Sequence, residues 1–262
     1  MARTGKVLLI PKLLRYPTRL HHKEKGDQYL RSAKKHRTPM QPRSIDFYFD
    51  YISPFAHFAW RNITPLAKRY DCQIHAHPVV FGKLLDKWGQ LGPAEITPKR
   101  KWLHQYCLRY AALNGFAYNP PKFHPFNPLA ALRMSLKEVS GNEQHQVIDA
   151  IFEEGWCHGK DLGDLPTLVT FLEERGIDGD YLSRQIAQHN VKQLLVEETN
   201  MAINRGVFGV PCMIVDGLLF WGNDQMEHIE LLLSGKDPLD KSRLDTLERP
   251  RAIDRKTFKK LD

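Results

Sequence analysis

The residues most able to do chemistry sit in "YFDYISPFAHFAW", Tyr48 to Trp60. An aromatic, alternating run stops at Ile52, and Ser53 and Pro54 open a segment patterned as a helix. A group at a helix start feels unpaired backbone N–H groups and the positive end of the helix dipole, which favour an anion there by about 0.3 to 1 kcal/mol. A serine hydroxyl does not ionise near neutral pH, but it donates a hydrogen bond to an anion that another molecule brings. Serine is also a leading N-cap residue, so the position has a purely structural reading as well. Hydrolysis is not indicated, because no G-x-S-x-G elbow surrounds Ser53 and no base is placed by a known spacing; His57, one helical turn onward, is the residue that keeps that alternative open.

Two further stretches carry candidate binding groups. In "FWGND", Phe220 to Asp224, backbone donors suit a carboxylate, and the Asp224 carboxylate suits an ammonium; an ordinary Asn/Asp helix cap is the alternative. In "GVFGVPC", Val210 and Pro211 precede a strand. Lys83, Lys99 and Arg100 are candidates for a carboxylate, although such residues more often form a solvated helical face, and Asn127 in "HPFNP" is a candidate of the same kind. Trp102, Tyr106 and Tyr110 recur at helical spacing and suit either core packing or an aromatic pocket wall. His75 and His77 alternate along a strand without a third ligand at metal-site spacing, so no metal is expected.

These residues need elements to position them. "SIDFYFDYI" reads as a strand, Pro54 to about Tyr70 as a helix, and "QIHAHPVVF" as a second strand, giving a βαβ unit. Helical patterns follow at "PKRKWLHQYCLRYAALNG", "PLAALRMSLKEVSG", "EQHQVIDAIFEEGW", "LPTLVTFLEERG" and "DYLSRQIAQHNVKQLLVEETNMAINRG". Strands return as "VPCMIVDG" and "LLFWG" with a hairpin signal at Asp216 and Gly217, before a last helix in "QMEHIELLLSG". The fold class this order predicts is α/β: a thioredoxin-like domain, 45–82 and 206–236, interrupted by an all-helical insertion, 83–205. A basic extension, 1–44, expected to be flexible, and a charged tail, 237–262, flank it.

Composition narrows the classes. With 262 residues, 42% hydrophobic and 26% charged, the chain can bury the core of one large domain. No stretch approaches the roughly 18 consecutive apolar residues that a spanning helix needs, so membrane insertion is not expected. The net charge of +8 belongs to the extension, where 12 Lys and Arg face two acidic residues, while the remainder holds 26 basic and 28 acidic residues. Nucleic acid is therefore expected as a partner only through that arm, if at all. Cys72, Cys107, Cys157 and Cys212 form no C-x-x-C pair, which fits a reducing, cytoplasmic compartment.

"DYISPFA", "VVFGKLLDKWGQLGPAEITPKRKW", "FHPFNPLAALR" and "GVFGVPCMIVDGLLFWGNDQMEHIE" together resemble the 2-hydroxychromene-2-carboxylate isomerase family, relatives of kappa-class glutathione transferases and DsbA-like oxidoreductases. The resemblance spans about Ile45 to Gly235. It implies glutathione as cofactor, a small aromatic substrate and a homodimer. Ser53 and Ala56 then occupy the positions of a lost cysteine pair, and Ser53 stabilises a borrowed thiolate that adds reversibly to the substrate. The implied cofactor contacts are Ser53, Pro54, Phe55, Gln90, Val210, a cis Pro211, Trp221, Gly222, Asn223 and Asp224; Gln90 stands where relatives often carry asparagine. A kappa-like transferase or peroxidase, a disulfide oxidoreductase and a non-catalytic binding protein recruited through the basic arm remain alternatives.

Overall fold

The computed structural model describes residues 43–247; the basic extension up to residue 42 and residues 248–262 lie outside the described residues. Strand β1 (Ser44–Phe49) alternates its side chains between two apolar clusters, as a central strand covered on both faces must. Ile45, Phe47 and Phe49 join one cluster and Tyr48 the other. Helix α1 (Pro54–Tyr70) follows, with Ala56, Ala59, Trp60 and Ile63 buried against the first cluster, and ends at Asp71 in the left-handed region, φ 54°. Strand β2 (Gln73–Pro78) pairs in parallel with β1, from Ser44 opposite Gln73 to Phe49 opposite Pro78.

Helices then run without a strand until residue 211: α2 (Phe81–Trp88), α3 (Thr97–Asn114), α4 (Leu129–Met134), α5 (Lys137–Ser140), α6 (Gln144–Trp156), α7 (Leu165–Glu174), α8 (Gly179–Ile186) and α9 (His189–Asn204). Strands β3 (Cys212–Val215) and β4 (Leu218–Trp221) complete a four-stranded sheet of order β2-β1-β3-β4, with β3 antiparallel to both neighbours. Their turn holds Asp216 at φ 50° and Gly217 at φ 77°, the pair of positive angles that a tight hairpin of this hand demands. Helices α10 (Met226–Leu233) and α11 (Lys241–Leu247) close the described chain, the latter inside the charged tail. No helix among the described residues is long and apolar enough to cross a membrane.

Several boundaries differ from the sequence expectation. Phe81 opens α2 instead of ending β2, because Pro78 closes the strand and Val80 turns the chain. The segment Pro128 to Gly141 splits into α4 and α5 at an extended Leu136, ψ 138°. The long helix expected from Asp180 breaks at Gln188, ψ 142°, into α8 and α9. The helical segment shares its core with the sheet: Ile148, Phe152, Trp156, Leu168 and Leu172 lie in one cluster with β1 and α1. Polar groups tie the seam. Buried Gln144 donates Nε2–H to Ala76 O at 3.0 Å, and His145 Nε2 donates to Ile74 O at 3.2 Å, so α6 covers carbonyls along β2 that an edge strand would otherwise expose.

Candidate active site

Ser53 is the N-cap of α1, with extended backbone and 8% exposure. Its Oγ accepts from Ala56 N–H at 3.2 Å, its N–H donates to Asp50 O at 3.1 Å, and its carbonyl accepts from Ala56 and His57 N–H. The capping role is thus realised, and it leaves the hydroxyl hydrogen uncommitted. Pro54 has no N–H, and the Phe55 N–H has no partner among the described residues. Two donors therefore stand at the anion-favouring end of a 17-residue helix.

The backbone before Ser53 is pinned on every side. Trp156 Nε1 donates to Tyr51 O at 2.9 Å, and His124 Nε2 donates to Ile52 O at 2.8 Å. Asp50, 1% exposed, accepts from Ile52 N–H at 3.0 Å through Oδ1 and from Phe81 N–H at 2.9 Å through Oδ2, so one carboxyl joins this loop to the start of α2. Burial pushes the Asp50 carboxyl up to about 7, against the opposing pull of its two N–H donors. His124 is held below the usual imidazole range by burial, with His104 and Arg100 adding to the effect. His57 is no partner for Ser53: it is buried, its Nε2 lies 3.7 Å from Cys157 Sγ, and burial drops its pKa to about 3.

A cleft of about 1250 Å3 opens over Ser53. That exceeds the roughly 300 to 1,000 Å3 of an ordinary small-ligand pocket and leaves room for two small molecules. Ser53, Pro54 and Phe55 line one wall, Gln90, Lys99, Trp102 and Tyr106 a second, and Val210, Pro211, Trp221, Gly222, Asn223 and Asp224 a third. Val210–Pro211 is cis, and the Val210 N–H and C=O have no partners among the described residues. Gly209 is required beside it, since a Cβ there would come 2.7 Å from Trp221 Nε1. Asn223 and Asp224 do not cap α10; they lie in a 3-10 turn, and Asn223 Oδ1 accepts from Asn62 Nδ2 at 2.9 Å.

Other expected residues stand elsewhere. Lys83, Arg100 and Asn127 do not line the cleft: Lys83 faces Asp86 at 3.7 Å on the exposed side of α2, and Asn127 Oδ1 accepts from Leu129 N–H. Tyr110 packs behind Tyr106, ring to ring at 5.8 Å. Cys107, Cys157 and Cys212 are buried free thiols, and burial raises the Cys212 thiol to about 12, so it is not activated. Among the described residues no group of His, Cys, Asp and Glu could hold a metal ion. Asp50, Asn62 and His124 escaped the sequence reading. Their roles depend on partners between 31 and 161 residues away, and no local pattern marks them.

The DSBA-like thioredoxin domain family matches residues 44–234. The chain is also 31% identical over 195 residues to a 2-hydroxychromene-2-carboxylate isomerase of Sphingobium xenophagum, covering 73% of this chain and 98% of that relative. The chain belongs to the 2-hydroxychromene-2-carboxylate isomerase family, within the DSBA-like thioredoxin domains. Glutathione S-transferase kappa 2 of Caenorhabditis elegans is a more distant relative, 26% identical over 66% of this chain and 81% of its own length. A solved 2-hydroxychromene-2-carboxylate isomerase shares the isomerase-family fold seen here, with a TM-score of 0.68 at 23% identity over 79% of this chain and all of that one.

Proposed function

We propose that this protein is a glutathione-dependent cis-trans isomerase of 2-hydroxychromene-2-carboxylate or a related conjugated aromatic acid. The observation that carries the reading is Ser53, whose oxygen is occupied as a cap while its hydrogen remains free at the floor of the cleft. When bound, glutathione supplies a thiolate that adds to a conjugated double bond and leaves again after rotation, so it is not consumed. The residues fit such a tripeptide: Asn223 Nδ2 is buried without a partner, and the Val210 peptide is free to pair with an extended backbone.

Each wall then has a task. Ser53 O–H and Phe55 N–H hold the sulfur as an anion, Val210 aligns the cysteinyl backbone, and Asn223 and Asp224 take the γ-glutamyl end. Phe55, Trp102 and Tyr106, within 5.3 to 6.4 Å of one another, offer an aromatic wall to the substrate and exclude water from it. Lys99, the one Lys or Arg among the described lining residues, answers the substrate carboxylate. The free thiols of Cys107, Cys157 and Cys212 support a reducing cytoplasm as the setting, and the family suggests a homodimer.

Ser53→Ala tests the reading. Turnover of 2-hydroxychromene-2-carboxylate should fall about 10²-fold, the usual cost of removing one anion-stabilising donor. Stability should drop by only about 1 kcal/mol for the lost cap. Unchanged turnover would sink the assigned role. The kappa-class relatives favour a second reading, a transferase that consumes glutathione; following the free thiol during turnover separates the two, since it stays constant only for the isomerase.

A further inference from the structure

We infer that Asn62, on helix α1, is a positioning residue that fixes the polarity of the glutathione head-group seat. The inference rests on the proposed binding of glutathione and concerns a residue outside the cleft lining. A side-chain amide can face a ligand with its carbonyl or its NH2, and the two choices select opposite ligand groups. Here Asn62 Nδ2 donates to Asn223 Oδ1 at 2.9 Å and to Tyr110 Oη at 2.8 Å. The carbonyl of Asn223 is thereby taken, and Asn223 lines the cleft at 5% exposure with Nδ2 buried and unpartnered.

A buried donor left without an acceptor is costly, so the seat has a built-in demand for an acceptor. An α-carboxylate meets that demand and an ammonium does not. Asp224, the next residue, is exposed and accepts only, so it suits the ammonium. The γ-glutamyl zwitterion should therefore enter in one sense, carboxylate inward on Asn223 and ammonium outward on Asp224. Asn62 stands on the same helix whose first turn carries Ser53, so a single rigid element sets both the anion seat and the head-group seat. Tyr110 on α3 completes the brace from the other side.

The test is a cycle between protein and ligand, read by calorimetric titration of the intact protein with glutathione and with γ-aminobutyryl-cysteinyl-glycine, which lacks only the α-carboxylate. The wild type should prefer glutathione by about tenfold or more, the worth of a charge-assisted hydrogen bond. Asn62→Ala should weaken glutathione about tenfold and leave the analogue unchanged, so that the preference collapses. Asn62→Asp, which accepts from Asn223 and turns its carbonyl toward the cleft, should weaken glutathione further still. Tyr110→Phe, a milder change that keeps the ring packing, should give a partial loss of preference. Equal weakening of both ligands in the Asn62 variants, or none, overturns the inference while leaving the glutathione site standing. A wild type that binds neither ligand overturns the site and the brace together.

Discussion

Asp46 and Asp50 lie four residues apart along the same stretch of chain, one inside β1 and one just beyond it, and the protein treats them in opposite ways. Asp46 meets Arg205 at 2.7 Å and His77 at 3.3 Å, with His75 at 3.4 Å. Burial pushes its carboxyl up, but His77 and Arg205 outweigh burial and hold it at about 2. Asp50 is more deeply buried, has only backbone donors, and pairs with no cation among the described residues; burial carries it to about 7. The first carboxylate is a brace between β1, β2 and the end of α9. The second holds its proton up to about 7 and joins the loop that carries Ser53 to the start of α2.

Four substitutions test the difference between the two carboxyls. The largest effect should come from Asp50→Ala, which strands the buried N–H groups of Ile52 and Phe81: at pH 5 unfolding by denaturant should show a loss of about 2 kcal/mol or more, and a loss near zero would deny the joint between the loop and α2. Asp50→Asn tests the titration itself. The native protein keeps the Asp50 proton up to about 7, while the unfolded chain releases it near its ordinary 3.8, so wild-type stability should fall as pH rises between these values. The slope of melting temperature against pH across that window should flatten in the variant.

The Asp46 network should behave in the reverse manner. Burial lowers His77, but Asp46 and Glu198 outweigh it and raise the ring to about 9, so its contribution is full below the ordinary 6.5 and disappears as pH climbs through about 9. His77→Gln should remove that alkaline loss, with a difference of about 1 kcal/mol at neutral pH, read from denaturant midpoints at pH 6, 8 and 10. Last, Asp46→Asn should cost stability at every pH above 3.8, where the carboxylate's contribution is full, and that cost should fade as pH falls from 3.8 through about 2, read from denaturant midpoints at pH 2, 4 and 6. An alkaline loss that survives in His77→Gln would mean that His77 is not its source.

The order of elements was legible because it rests on local signals. Alternation marked β1, Pro54 marked the start of α1, and Asp216 with Gly217 marked the hairpin. The anchors Ser53, Val210, Pro211, Asn223 and Asp224 were legible through the family motifs, and the structure gathers them on one cleft. What the chain concealed is set by distant partners. The break at Gln188 has no proline or glycine to announce it. Asp46 and Asp50 look alike in sequence, since only the fold decides which of them meets Arg205. The hydrogen bond from His124 to Ile52 likewise depends on chain arriving from 72 residues away.

The two peptides leading to Ser53 are held by Trp156 and His124, both supplied by the helical segment, as much as by the strand that carries them. Reactivity and substrate range are consequently inherited as a package. A lineage that reshaped those helices to admit a bulkier molecule would also retune the proposed seat of the anion, and one that preserved that seat would be confined to modest changes at the rim, around Leu91, Lys99 and Trp102.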